Sequence, residues 1–423
     1  MLTDTAGSQQ LLKGINRMAL VRHLCANPGV SRADLAVAVR LTKSTVSLLV
    51  RELLDEGWLV ERDIVASGDL GRRPTPLFIH PSRLLLLGAE VGIDTTRVVA
   101  TSLTGEILAS TVSRHGANNS AKACIAGLSA ALLKVRKQLE SAEHQIIGIG
   151  VGLPGGVDEL SGVLNFAPNL GWRDVPFGTL LGEKLASTAL AGIPMFLQNE
   201  ADVAVLGEME FNPSRASDPL LYVSVNQGVG AGVIVGDRLL TGWHGFAGEV
   251  GHIILQLNGP LCSCGRKGCA EALIGLRAMS RGADKSEKSD KVNQGEAAQT
   301  APTASGESPW AAIQRGLQAR DTGTMRAVKK AGTYLGVLLQ NLTAAYDPAC
   351  IVLGGAGVEL GDGFVQPALQ TLNAYAAAAN LAPPDVRVSR FGADAVAVGA
   401  AALARYRLTR PLAAPAFSGT AGA

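Results

Sequence analysis

The sequence predicts a two-lobed α/β domain preceded by a small three-helix unit with a β-wing. Three observations carry this expectation. Glycine is abundant, at 50 of 423 residues, and 47% of the chain is hydrophobic although only 4% is aromatic. Many glycines among Val, Ile and Ala favour tight strand-to-helix turns in an α/β architecture. Two glycine-punctuated strand meanders open about 135 residues apart, at Leu84 and Leu221, which points to a duplicated fold with a cleft between its halves. Ahead of them, three short helical patterns lead into two extended segments around a basic turn.

A chain of this length holds two or three folding units. The formal net charge of +2 confines any nucleic-acid contact to a local surface, since a protein that wrapped nucleic acid along its length would be far more basic. The N-terminus is polar, and the longest apolar run, around Leu84 to Leu87, is far shorter than a membrane span. A soluble cytoplasmic protein with no membrane partner is expected. Six cysteines in so long a chain do not make a disulfide framework.

The first unit is assigned to residues 1–81, with its helical pattern legible from Asn16. Leu20, Val21 and Leu24 recur at helical spacing until Asn27-Pro28-Gly29 breaks the run. Ser31 to Asp34 is a capping-box pattern opening a short second helix that stops near Val39-Arg40-Leu41. Thr42 caps a third helix, with Val46, Leu49, Val50, Leu53 and Leu54 on one face and Gly57 at its end. Trp58 to Arg62 and Leu77 to Ile79 are two short strands, and Gly71-Arg72-Arg73-Pro74 belongs to the basic turn between them. Such a unit lays the start of its third helix against base edges in the major groove. Those residues are Thr42, Lys43, Ser44, Thr45 and Ser47, small or basic and polar, while Arg72 and Arg73 on the wing reach backbone or minor groove. The alternative is a helical domain with a merely solvated basic face. Agreement among helix lengths, breaks and wing favours operator DNA as partner, and the pattern resembles the winged helix-turn-helix of many bacterial repressors.

The first lobe spans 84–207. It opens with a meander through Leu84–Gly92, Val98–Ala100 and Glu106–Leu108, then a helix over 121–139 and a buried strand, Ile146–Val151. The loop Gly152-Leu153-Pro154-Gly155-Gly156 follows, and a later strand, Pro194–Leu197, runs into Gln198-Asn199-Glu200 and a helix. The second lobe, 208–390, repeats the meander at Leu221–Val225, Ala231–Val235 and Arg238–Leu240, and a helix over Thr324–Tyr346 leads to the strand Ile351–Leu353. A last helix, about 395–407, is expected to pack back on the first lobe. Residues 282–308 are polar and low in complexity and read as a disordered insertion.

The second lobe also carries Gly248-Glu249-Val250-Gly251-His252 and then Cys262-Ser263-Cys264-Gly265-Arg266-Lys267-Gly268-Cys269-Ala270-Glu271. Three thiols and one imidazole, His252, Cys262, Cys264 and Cys269, meet the ligand count of a closed structural Zn2+ site. The glycines at 265 and 268 let a short loop fold around the ion, and metal at one ring nitrogen would fix His252 in one orientation. Unliganded cysteines are the alternative.

These two stretches resemble the signature of the ROK family (repressors, open reading frames and sugar kinases). The likeness runs from about Leu84 to the chain end, excluding the insertion, and includes Pro154-Gly155, Ala167-Pro168-Asn169-Leu170, Gly228-Val229-Gly230-Ala231-Gly232 and Val352-Leu353-Gly354-Gly355. It implies an actin-like, two-lobed sugar-kinase fold and sugar contacts at the matching positions Asn169, Asn199, Glu200, Glu249, His252 and Glu271. Amides and carboxylates of this kind suit a polyol. With a winged helix in front, the chain looks like the repressor branch.

Two departures from the family's kinases bear on activity. Kinases carry Asp-x-Gly-Gly-Thr-Lys in the first meander, where this chain has Glu90-Val91-Gly92-Ile93-Asp94-Thr95. Ile93 blocks close backbone approach to a phosphate, and Asp94 would repel it. Kinases place a catalytic Asp after Asn, where this chain has Asn199-Glu200. Glu is one methylene longer, and about 1 Å of misplacement can cost about 100-fold in rate. The expectation is a sugar-responsive repressor of a carbohydrate-utilisation operon, not an enzyme, working as a homodimer or homotetramer. Xylose is the first-choice effector, because Asn-Glu at this place is similar to the family's xylose-responsive repressors. The rival reading is an ATP-dependent sugar kinase carrying a DNA-binding arm. A repressor controlled by a protein partner is the third.

Overall fold

The computed structural model describes residues 9–62, 75–115, 120–139, 143–167, 169–212, 217–243, 245–283 and 308–410. The N-terminal unit holds α1 (Gln9–Ala26), α2 (Arg32–Ala38), α3 (Lys43–Asp55) and the antiparallel strands β1 (Leu59–Glu61) and β2 (Leu77–Ile79). Helix α1 starts seven residues before Asn16, in a stretch whose apolar residues Leu11, Leu12 and Ile15 are half-buried or exposed. The caps are as the side-chain chemistry demands. The Asp34 N–H donates to Ser31 Oγ at 3.2 Å, and the Thr45 N–H donates to Thr42 Oγ1 at 3.2 Å. Leu20, Leu24, Leu35, Val46, Leu49, Val50 and Leu53 close the core of this unit, each worth ~1.5–3 kcal/mol of burial.

The first lobe is built on β3 (Leu84–Val91), β4 (Thr95–Ser102), β5 (Ile107–Arg114), β6 (Gln145–Leu153) and β10 (Met195–Asn199). Helices α4 (Ala121–Gln138), α5 (Phe177–Leu185) and α6 (Glu200–Phe211) accompany them, and β7 (Gly156–Asp158), β8 (Val163–Ala167) and β9 (Trp172–Val175) form a small separate sheet. The second lobe has β11 (Leu220–Val225), β12 (Val229–Val235), β13 (Arg238–Leu239), β14 (Cys350–Gly354) and β15 (Asp385–Val388). Its helices are α7 (Ala270–Ile274), α8 (Leu276–Ala283), α9 (Pro309–Gln318), α10 (Thr322–Tyr346) and α11 (Asp362–Ala378), and α12 (Ala395–Thr409) ends the described chain.

The main sheets run β5-β4-β3-β6-β10 and β13-β12-β11-β14-β15. In each, an antiparallel meander is extended by two parallel strands. The two lobes therefore share one topology. Helix α12 returns to the first lobe and lies on β3 and β6, where glycine leaves room for it. A Cβ on Gly150 would stand 1.7 Å from the Ala400 carbonyl oxygen, and one on Gly88 would stand 2.0 Å from that of Ala397. The same close approach joins α12 to α6 through Gly399 and Gly207. The polar segment 282–308 is ordered at both margins: Gly282 belongs to α8, and Ser308 caps α9 through the Ala311 N–H at 3.3 Å. The rest of it, 284–307, lies outside the described residues, as do 411–423. No helix among the described residues is long and apolar enough to cross a membrane.

Candidate functional site

The cleft between the lobes collects carboxyl groups from both walls. Glu200 is the first residue of α6, Glu249 precedes the turn Val250–His252, and Glu271 lies in the first turn of α7. Burial, then Glu249 and Glu271, push the Glu200 carboxyl up to about 7. Glu249 is also pushed up, by burial first, with His252 opposing and Glu271 adding. These three side chains therefore face one space. Asn169, from the β8–β9 turn, reaches the same place from the first lobe. A Cβ on Gly228 would lie 2.8 Å from Glu271 Oε2 and 3.7 Å from Asn169 Nδ2, so the glycine keeps the cleft open there. Arg277 Nη1 on α8 donates to Asn169 Oδ1 at 3.2 Å.

His252 lies between this cleft and the cysteine loop. Its Nε2 is 3.8 Å from Glu249 Oε2, and its Nδ1 is 3.7 Å from Cys262 Sγ. The Sγ atoms of Cys264 and Cys269 are 3.7 Å apart. One donor atom each from His252, Cys262, Cys264 and Cys269 falls within 4.8 Å of all the others. A tetrahedral zinc with bonds of about 2.3 Å to sulfur sets its sulfurs about 3.8 Å apart, so the donor set fits that ion. Gly265 and Gly268 take positive φ, 85° and 74°, where the loop doubles back. Glu271 ties cleft to loop by accepting from Ser263 Oγ at 2.7 Å.

Asn199 stands differently from the other expected sugar contacts. Its Nδ2 donates to the Gly155 carbonyl at 2.9 Å, and its Oδ1 accepts from the Ala201 N–H at 2.7 Å. It caps α6 and pins the Gly155 loop, so it positions Glu200. Two further carboxyls join the cleft, Glu90, known from the sequence only as the start of the altered phosphate stretch, and Asp202, which no motif marks. Glu90, at the end of β3, is pushed up to about 7 by burial and by Glu200, against Arg97. Asp202 is buried in α6, with Oδ1 unpartnered among the described residues, and is pushed well up by burial, then Glu249 and Glu159. Only their spatial convergence identifies them, since single acidic residues at strand and helix ends are common.

The β3–β4 turn is held by the protein itself. The Gly92 N–H donates to Thr95 O at 2.8 Å, His115 Nδ1 lies 3.1 Å from Ile93 O, and the His115 N–H donates to Asp94 O at 2.8 Å. Arg97 meets Asp394 at 2.8 Å and Glu90 at 3.8 Å.

On the N-terminal unit, Thr42, Lys43, Ser44 and Ser47 are exposed and Thr45 is half-buried, with Thr42 Oγ1 within 3.0 Å of Ser44 Oγ and 2.8 Å of Thr45 Oγ1. Arg51, one turn beyond Ser47, continues the exposed face, and Arg40 stands in the turn before α3 with φ 56°. The i, i+4 spacing from Ser47 to Arg51 is the signal that would have found the former. Arg72 and Arg73 lie outside the described residues.

Comparisons with known proteins bear on the family and the fold. The ROK family profile matches residues 86–407, and a winged helix-turn-helix DNA-binding profile matches residues 15–60. The xylose repressor of Bacillus subtilis (strain 168) is 30% identical over 83% of this chain and 84% of its own. A glucokinase of Halalkalibacterium halodurans is 28% identical over 74% of this chain and 92% of its own. Among solved structures, a ROK family transcriptional regulator described as a homologue of the E. coli MLC protein superposes with a TM-score of 0.72 at 22% identity, covering 95% of this chain and 98% of that one. That likeness speaks for the fold across both the N-terminal unit and the lobes.

Proposed function

The chain belongs to the ROK family, and from that premise we propose that it is a sugar-responsive, DNA-binding transcriptional repressor of a carbohydrate-utilisation operon, released by sugar held in the inter-lobe cleft. One observation carries the reading: Glu200, Glu249 and Glu271 converge with Asn169 across the two lobes, while the start of α3 stands exposed on a separate winged unit. Carboxylates accept from sugar hydroxyls and the Asn169 amide donates to them. Because Asn169 and Glu200 belong to one lobe and Glu249 and Glu271 to the other, a bound sugar favours the closure in which all four reach it. A ligand shifts DNA affinity only through such a difference between states. Xylose is the effector of first choice, by analogy with the Bacillus subtilis relative.

Zinc held by His252, Cys262, Cys264 and Cys269 would supply a structural clamp for the loop that presents His252 and Glu271. The protein itself turns His252 Nε2 toward Glu249 and braces Glu271 with Ser263. On DNA, Thr42, Lys43, Ser44, Thr45 and Ser47 read bases or phosphates, Arg40 and Arg51 lie within reach of phosphates, and Arg72 and Arg73 belong to the wing. Two copies, or a pair of such dimers, would set two recognition helices on a palindromic operator.

The kinase alternative draws on the glucokinase relative. Against it stands the β3–β4 turn, where the Gly92 N–H, a donor a phosphate would use, is already given to Thr95 O and where Ile93 and Asp94 replace the kinases' Gly and Thr. The test is operator-fragment binding titrated with a panel of pentoses and hexoses, beside ATP turnover on the same sugars. Release by one sugar without turnover supports the repressor and names its effector. Rapid turnover with Glu200 as base would overturn the non-enzymatic reading.

A further inference from the structure

We infer that the C-terminal end of α12 is the joint through which lobe movement reaches the DNA-binding unit, with Arg410 and Asp237 as its coupling residues; the inference rests on the sugar-responsive reading above. Arg410 follows the helix that lies on the first lobe's sheet, and two carboxylates from outside that sheet grip it. Its Nη1 donates to Glu210 of α6 at 2.7 Å, and its Nη2 and Nε donate to the Asp237 carboxylate at 2.8 and 3.3 Å. Its guanidinium lies 4.2 Å from the centre of the Tyr406 ring. One residue earlier, the Thr409 carbonyl accepts from Arg22 of α1. Arg22 and Arg410 are thus neighbouring cations. Burial and Arg410 hold the Arg22 guanidinium below its usual pKa, while Asp237 and Glu210 oppose them. Those two carboxylates allow two guanidiniums to share one place.

Glu210 moves with α6, which packs on α12 and on the second lobe alike: a Cβ on Gly207 would stand 3.1 Å from Gly399 of α12, and one on Gly232 of β12 would stand 2.4 Å from the Ala201 carbonyl oxygen of α6. Asp237 stands in the β12–β13 turn, at the opposite end of β12 from Gly228, and Gly228 faces Glu271 and Asn169 in the cleft. A strand paired on both sides is a stiff lever, so a closure that shifts Gly228 carries Asp237 with it. Phe246 makes a second link. Its ring sits 2.1 Å from where a Cβ on Gly156 of the first lobe would fall, and Glu249 follows three residues on. A cavity of about 1050 Å³, bordered by Arg22, Asp237, Trp243, Phe246, Tyr406 and Arg410, lies at this junction of α1, both lobes and α12. The lining can move there without opposing a packed wall. When the lobes rotate, Arg410, carried by α12 on the first lobe, is drawn away from Asp237, carried by β12 of the second. Loss of Asp237 leaves Arg22 beside a cation with one counter-charge fewer, and the seat of α1 on Thr409 loosens. The sugar signal thereby reaches the winged unit as a change in charge balance.

Asp237→Asn tests this. Asp237 has φ 59°, a conformation Asn adopts as readily, and its side chain is 66% exposed, so the folded chain survives the change. Three quantities are measured on full-length protein: xylose affinity by calorimetry, operator affinity with and without xylose, and hydrogen exchange of α1 amides. Xylose affinity stays at the wild-type value. The factor by which xylose changes operator affinity, on the order of 5–150-fold for coupled sites, falls toward one, and α1 exchanges faster. An unchanged factor with unchanged α1 exchange overturns the joint and leaves the sugar-responsive reading standing. If no pentose or hexose alters wild-type operator affinity, that reading fails, and faster α1 exchange in Asp237→Asn still upholds the mechanical joint.

Discussion

In the proposed reading Glu249 is the residue on which sugar recognition and the candidate metal loop meet, since it faces Glu200 and Glu271 and lies 3.8 Å from the His252 ring. Its replacement by Ala removes a charged acceptor from the cleft while leaving α3 untouched. We expect operator binding at wild-type strength and sugar affinity weaker by about 1.5–3 kcal/mol, read by operator release against sugar concentration; loss of DNA binding in a folded variant would refute sensing at this cleft. Glu90 and Glu200 hold their protons to about pH 7 in the folded chain, for the same reason of burial and mutual repulsion. The unfolded chain releases them near 4.5, so the folded state binds more protons between these values and stability falls as pH rises from about 4.5 to 7. Glu200→Gln removes one of the two groups. Its melting temperature, followed from pH 5 to 8, should decline less steeply than that of the wild type, and an identical slope would contradict the raised value. The sequence marked Glu200, Glu249 and Glu271 through motifs. It did not mark Asp202 at all, and it showed Glu90 only as part of the β3–β4 stretch, not as a neighbour of the cleft carboxyls.

The elements that position the site differ in how openly they are written. Helices α2 and α3 are announced by Ser31 and Thr42, because capping is a local bond between neighbours. The strands β7, β8 and β9 and the helix α11 are not announced: the strands are only three to five residues long, and α11 is Ala-rich with Pro367 inside it. The cysteine loop is legible in spacing alone, and its closeness in space agrees with that spacing. Cys264→Ser should lower bound zinc from roughly one ion per chain and depress the melting temperature of the lobes; metal analysis with calorimetry decides, and a wild-type chain free of zinc would sink the assignment. Helix α12 owes its seat to glycine. Gly150→Ala sets a methyl group 1.7 Å from the Ala400 carbonyl, a backbone clash that side-chain rotation cannot relieve. A loss of about 1–3 kcal/mol or more is expected in chemical denaturation, and wild-type stability would show that α12 does not lie on β6 as described.

At the scale of the molecule, two lobes of one topology face each other and the chain crosses between them at α6 and again at α12. A sugar touching Asn169 and Glu200 on one side and Glu249 and Glu271 on the other stabilises both lobes together. Saturating xylose, at about 100 times its dissociation constant, should add ~2.7 kcal/mol as one upward shift of the lobes' melting transition, and Asn169→Ala should reduce that shift. No response to any sugar would favour control by a protein partner. What the sequence determined by itself was local or repeated: the caps of α2 and α3, the two meanders, the Cys-x-Cys and Gly-Glu-Val-Gly-His stretches, and the replacements at Ile93 and Glu200. Each depends on side chains a few residues apart, or on a pattern the chain states twice. What only the tertiary structure decided was which distant groups share an environment. The raised carboxyls of Glu90 and Asp202, the His115 brace on the β3–β4 turn and the meeting of Arg22, Glu210, Asp237 and Arg410 join residues that can be hundreds of positions apart. Burial and electrostatic coupling depend on distance through space, and no periodicity along the chain encodes it.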